Sequence, residues 1–143
     1  MPKFAYSFIC DDIRRELGGK RTYVGVYGDR FTVKSFPKMV SKLCIGTRMF
    51  FSSQEEFNSL QTRIEFNEFN EIIPFDHEEV ENMKEKIQNN NGEDGWPSRR
   101  TEILAEVSIS PFEFSEPGTL KIFVETDIDS IRSGILKIQK RHN

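Results

Sequence analysis

The chain has 143 residues, 36% hydrophobic and 30% charged, with 20 Lys and Arg against 23 Asp and Glu for a net charge of −3. That length suits one domain that buries a core without staples, and a mean hydropathy of −0.54 describes a well-solvated exterior. With the two charge signs mixed along most of the chain there is no global basic field for nucleic acid, no run of about 18 apolar residues spans a bilayer, and two Cys with two His are too few for a comfortable zinc site.

The opening, Met1 to Cys10, lacks the apolar stretch and small-residue cleavage site of a secretory signal, so a cytoplasmic location is expected. Alternation begins there, with Phe4, Tyr6, Phe8 and Cys10 on one face of a first strand. Thr22, Val24 and Val26 mark a second strand, and Phe31 with Val33 a third. Between them Tyr27-Gly28-Asp29-Arg30 reads as a hairpin turn, because Gly28 accepts a positive φ and Asp29 tolerates one. Phe36-Pro37-Lys38 ends the third strand, since proline donates no ladder bond.

Leu43, Ile45, Thr47, Met49 and Phe51 share one side of a fourth strand; Leu60, Thr62, Ile64 and Phe66 share one side of a fifth, across a polar connection from Ser52 to Ser59. Residues 75 to 92 then break the two-residue period. Asp76-His77-Glu78-Glu79 has the form of a capping box, Phe75 is placed to staple onto Val80, and Val80, Met83 and Ile87 fall on one helical face. Asn89-Asn90-Asn91-Gly92 supplies the stop, and 71–98 as a whole reads as a long decorated connection carrying one helix near 76–88.

Three more strands close the chain: Ile103, Ala105, Val107 and Ile109; Leu120, Ile122 and Val124; and Leu136 with Ile138. Turns at 114–118 and 127–130 separate them. About eight short strands with one helical insert predict an all-β chain, a single antiparallel β-sandwich domain of immunoglobulin-like or C2-like kind.

The segment Cys10-Asp11-Asp12-Ile13-Arg14-Arg15-Glu16, with Gly18-Gly19-Lys20, Val24-Gly25-Val26-Tyr27-Gly28 and Phe36-Pro37, resembles the opening of an uncharacterised family of small bacterial proteins, a domain of unknown function. Glu116-Pro117-Gly118-Thr119-Leu120, Val124-Glu125-Thr126-Asp127 and Leu136-Lys137-Ile138 are similar to its closing strands. The resemblance implies a β-sandwich and a bacterial or phage-related origin, and it implies no activity.

The charged connector is the densest polar feature, and Asp11, Asp12, Arg14, Arg15, Glu16 and Lys20 are the candidate binding residues. Strands that simply alternate in direction would gather this connector, the helical insert and the 127–130 turn at one end of the sandwich. Asp11, Asp12, Asp127 and Asp129 would then offer oxygens to a hard cation, Ca²⁺ or Mg²⁺, in a module or metal-dependent enzyme. Against this, Asp caps turns through its own backbone, and Arg14, Arg15 and Lys20 stand close enough in sequence to neutralise the carboxylates, so no cofactor is expected. Gly18-Gly19-Lys20 lacks the loop length and helix start of a phosphate cradle and reads as a bend feeding a strand. Cys10 and Cys44 read as buried thiols rather than a disulfide, and neither has a histidine placed to activate it.

Aromatic residues at alternate strand positions read mostly as core. Phe50 beside Phe51, and Tyr23 and Tyr27 opposite Val24 and Val26, nonetheless put aromatics on both faces, and an outward patch would suit a protein partner or self-association. The expectation is a non-enzymatic binding module for a protein partner or small anionic ligand, with a homodimer through an edge strand as a further possibility.

Overall fold

The computed structural model describes residues 4–52, 56–89 and 100–142. Its strands are, in chain order, β1 (Phe4–Arg15), β2 (Arg21–Val26), β3 (Arg30–Val33), β4 (Lys38–Val40), β5 (Leu43–Ser52) and β6 (Leu60–Phe66). After β7 (Phe69–Pro74) comes the helix α1 (His77–Gln88), followed by β8 (Arg100–Ile109), β9 (Phe112–Phe114), β10 (Gly118–Thr126) and β11 (Ser130–Lys140).

Two sheets face each other in an all-β sandwich. One has the order β2-β1-β5-β8, the other β3-β11-β10-β6-β7, and a two-stranded β4-β9 ribbon stands beside them. Burial alternates strictly in β6 and along the middle of β10: Leu43, Ile45, Thr47, Met49 and Phe51 of β5 face Leu60, Thr62, Ile64 and Phe66 of β6 and Leu120, Ile122 and Val124 of β10, and all are buried. A strand projects one side chain in two toward a given face, so each of these runs supplies a continuous apolar row.

The core has two apolar halves. Ile9, Leu43, Ile45, Phe66, Phe112, Phe114 and Ile138 belong to one, at the end where β1 finishes. Ala5, Met49, Phe51, Phe57, Val80, Ile87 and Val124 belong to the other, beneath α1. Between them lies a belt of hydroxyls: Ser7 Oγ is 2.7 Å from Thr47 Oγ1 and 2.8 Å from Ser133 Oγ. Mutual hydrogen bonding makes this polar row tolerable in the interior. Its small side chains also let β1 approach β11 closely, and a Cβ on Gly134 would stand 3.1 Å from Ser7 Cβ.

The helix starts as its sequence predicts: Asp76 Oδ1 accepts the Glu79 N–H at 2.8 Å, and Phe75 packs in the same cluster as Val80. Asn89 is the C-cap, while the rest of the expected stop and the loop through Ser98 lie outside the described residues.

Several expectations are corrected. Eleven strands form among the described residues rather than about eight, β4, β7 and β9 being the additions, and β1 runs on to Arg15 through the supposed connector. The 69–74 stretch pairs with β6 through Asn67-Glu68, and Asn67 takes the left-handed φ of 51° that such a tight turn requires. No hairpin joins β2 to β3: the chain changes sheets there, and β3 pairs parallel to β11, so the sandwich is not wholly antiparallel. The positive φ sits at Gly25 (66°), where a Cβ would collide with the Asp11 carboxylate, and not at Gly28. Gly18 and Gly19, at 79° and 76°, do form the expected bend. Finally, Phe4, Tyr6 and Phe8 face outward, because β1 turns Ala5, Ser7 and Ile9 toward the core.

Candidate functional site

The six connector residues extend β1 and its turn, where most of their side chains are engaged. Asp12 accepts from Lys42 Nζ at 2.7 Å and lies 3.6 Å from Arg14 Nε. Lys42 holds the Asp12 carboxyl below the ordinary carboxylate range, and the same carboxylate raises the Lys42 ammonium. Asp11 accepts from the Tyr27 hydroxyl at 3.0 Å; burial first, then that carboxylate, push the phenol upward. Arg15 and Arg21 both reach Glu106, at 3.8 and 2.9 Å. Glu16 accepts from Thr22 Oγ1 at 3.0 Å, and Lys20 uses its carbonyl to receive the Glu16 N–H at 2.9 Å.

The four candidate metal carboxylates do not meet. Asp11 and Asp12 stand at the end where β1 finishes, close to Lys42 and Cys44. Asp127 lies at the opposite end, near α1, where its Oδ1 accepts the N–H groups of Asn58 and Ser59 at 2.7 and 3.2 Å, bonds that hold its carboxyl low. Asp129 follows it in the same turn, donating its N–H to Thr126 Oγ1 at 3.1 Å. The sandwich separates these groups because β1 carries the connector up one sheet while β10 delivers its turn to the other end. Among the described residues no group of three or more His, Cys, Asp or Glu side chains is placed to hold a metal ion.

Cys10 and Cys44, 34 positions apart in sequence, are direct cross-strand partners of β1 and β5, both buried free thiols. Burial pushes the Cys10 thiol up to about 11, and the neighbouring Cys44 adds to this.

What the fold does assemble is an aromatic face. On the outer side of the four-stranded sheet Phe4, Tyr6, Phe8, Tyr23 and Phe50 form a continuous set of ring contacts, with centroid separations from 5.2 Å (Phe8 to Tyr23) to 6.2 Å (Tyr6 to Phe50). Their register explains this. Phe4 lies opposite Phe50, Tyr6 opposite Arg48, and Phe8 opposite Gly46, whose missing side chain leaves the space that the Tyr23 ring fills. Phe4 is 51% exposed, while the other four rings are half-buried against one another. Charged pairs rim the patch: Arg48 with Glu102 at 3.1 Å, and Arg21 and Arg15 with Glu106. The Tyr23 hydroxyl and Arg48 Nε are buried and have no hydrogen-bond partner among the described residues.

Ile13, Arg15, Glu106 and Ser108 continue this side of the sheet to a shallow cavity of about 200 Å³. The connector's Arg15 therefore belongs to the edge of the aromatic face. The signal in the sequence was the parity of β1: aromatics at 4, 6 and 8 against Ala5 and Ser7.

A family model, described as a family of unknown function, matches residues 5–139 of the chain. No curated protein and no solved structure matches it. No helix among the described residues is long and apolar enough to cross a membrane.

Proposed function

The chain belongs to DUF6941, a family of unknown function, and from that starting point we propose that it is a non-enzymatic interaction module that docks a protein partner on the outer face of the β2-β1-β5-β8 sheet. The observation that carries this reading is the set of five touching rings on an outer sheet face, Phe4 exposed and the other four half-exposed. Tyr, Phe and Arg dominate the centres of protein interfaces because large rigid rings bury much area for little lost rotamer freedom. Ion pairs at the margin, Arg48 with Glu102 and Arg21 with Glu106, fit the polar rim of such an interface. Arg15 extends the rim toward the connector, where Glu16 accepts from Thr22 across the bordering turn. An immunoglobulin-like sandwich, a bacterial or phage-related origin and a cytoplasmic location belong to the same reading.

The test is site-specific photo-crosslinking in cells, with the photoreactive residue at Phe4 or Phe50, and at Ile72 as control. Ile72, 50% exposed, lies on the five-stranded sheet and matches Phe4 in exposure. Discrete adducts from Phe4 and Phe50 but not from Ile72 are expected, and an adduct of twice the chain mass would identify the partner as a second copy. Adducts formed equally at all three positions, or none from Phe4 and Phe50, would reject the face as a docking surface.

A further inference from the structure

A different observation, on the other sheet, points to a small-molecule site. Residues 30–54 contain Arg30, Lys34, Lys38, Lys42 and Arg48 and no carboxylate; residues 130–143 contain Arg132, Lys137, Lys140 and Arg141 and again none. Nine of the chain's 20 Lys and Arg, and none of its 23 acids, fall in these two stretches. The parallel pairing of β3 with β11 lays parts of the two stretches side by side, with Lys137 opposite Arg30 and Lys140 opposite Val33. Of the nine, Arg30, Lys34, Lys38, Lys137, Lys140 and Arg141 gather along this edge, a concentration that the net charge of −3 conceals.

At that edge lies a cavity of about 490 Å³, a size typical of small-molecule pockets. Lys34, Lys38 and Arg141 line it and no carboxylate does. None of these three side chains has an ion-pair or hydrogen-bond partner among the described residues. Lys42, Arg21, Arg48 and Arg63, by contrast, are all paired. Arg141 is also held in place: its N–H donates to the Val33 carbonyl at 2.7 Å, which ties the end of β11 to the wall of the cavity.

The hydroxyls add direction. Thr32 Oγ1 accepts from Gln139 Nε2 at 3.3 Å, which leaves its own proton free to donate into the cavity, and the Ser35 hydroxyl is without a partner among the described residues. Three cations and two hydroxyl donors, with no competing acceptor side chain, match the several oxygens of a phosphoryl group. Phe31 and Pro37 give the cavity an apolar wall for the remainder of a small molecule.

We propose that this cavity between β3, the 34–38 turn and the end of β11 binds a small phosphorylated anion, with Lys34, Lys38 and Arg141 as the charged contacts. A cavity of this size suits a small molecule, while Arg30, Lys137 and Lys140 beside it make a nucleic-acid strand the competing ligand that the experiment must exclude.

The experiment titrates pyrophosphate into the ¹⁵N-labelled full chain at physiological ionic strength and follows amide signals. Saturable shifts are expected at residues 32–35 and 141. Lys34→Gln and Arg141→Gln should each weaken binding about tenfold, the effect of losing one charge-assisted contact. Lys121→Gln, which removes a cation on β10 outside the cavity, should leave the affinity unchanged. Shifts that do not saturate, shifts spread over cations elsewhere, or equal weakening by Lys121→Gln would overturn the proposal. So would a short single-stranded oligonucleotide that binds more tightly than pyrophosphate.

Discussion

Gly46 is the position where one added methyl group tests the construction of the aromatic face. It is buried in the middle of β5, between Phe8 and Glu106, and a Cβ there would lie 2.8 Å from Tyr23 Cε1 and 3.3 Å from the Tyr23 hydroxyl. Glycine inside a strand ordinarily costs about 0.5–1 kcal/mol relative to alanine, so at an open site Gly46→Ala would stabilise. Carbon contacts are most favourable near about 3.5–4.0 Å, and the ring must move to accept the methyl. Overpacking of this kind costs about 1–3 kcal/mol, so the net effect expected is a loss of about 0.5–2 kcal/mol. For a chain of this size that lowers Tm by about 2–6 °C. With Tyr23→Ser the obstacle is gone, and the same Gly46→Ala change should stabilise by about 0.5 kcal/mol. Urea denaturation of the four proteins of this cycle reads the coupling, expected at about 1–2.5 kcal/mol. If Gly46→Ala shifts the midpoint equally in both backgrounds, Tyr23 does not occupy the space above Gly46 and the account of the face is wrong.

Phe114 is fully buried against Phe31, Phe66 and Phe112, so Phe114→Ala should cost about 3–5 kcal/mol, whereas Phe123→Ala, which removes a half-buried ring 4.0 Å from the Arg63 guanidinium, should cost about 1 kcal/mol; comparable losses in urea melts would contradict the assigned packing. Glu125 accepts from Gln61, Arg63 and Ser130, and although burial pushes its carboxyl up, these donors together hold it below its ordinary 4.5. A depressed carboxyl stabilises the fold above the unfolded value and loses that contribution as pH falls through the folded one. Glu125→Gln should therefore destabilise at neutral pH, with a gap that narrows as pH falls below 4.5; a gap that stays constant through the acid range would show that ionisation is irrelevant there. Iodoacetamide should leave Cys10 and Cys44 unmodified in the native protein and label both in urea, since both thiols are buried and that of Cys10 is raised to about 11; rapid native labelling of either would refute this.

The sequence by itself determined the β class, the inward rows of β5, β6 and β10, the Gly18-Gly19 bend and the start of α1. These depend on local features: a two-residue period with one clearly apolar side, a positive φ that only glycine accepts cheaply, and a carboxylate placed to cap a helix. What only the tertiary structure decided was which face of β1 is inner, where the connector's charges go, and which distant strands meet. The alternation of Phe4, Tyr6 and Phe8 with Ala5, Ser7 and Ile9 defines two faces without ranking them. Ser7 turns inward because Thr47 and Ser133 complete its hydrogen bonds and Gly134 leaves room for it. The expected meeting of Asp11 and Asp12 with Asp127 and Asp129 failed for a related reason: the end of the sandwich that a turn occupies depends on which sheet each strand joins. The basic edge was hidden in the same way. Lys34 and Arg141 are 107 positions apart, and they share a cavity because β3 crosses between sheets to pair in parallel with β11, a long-range contact that no local pattern encodes.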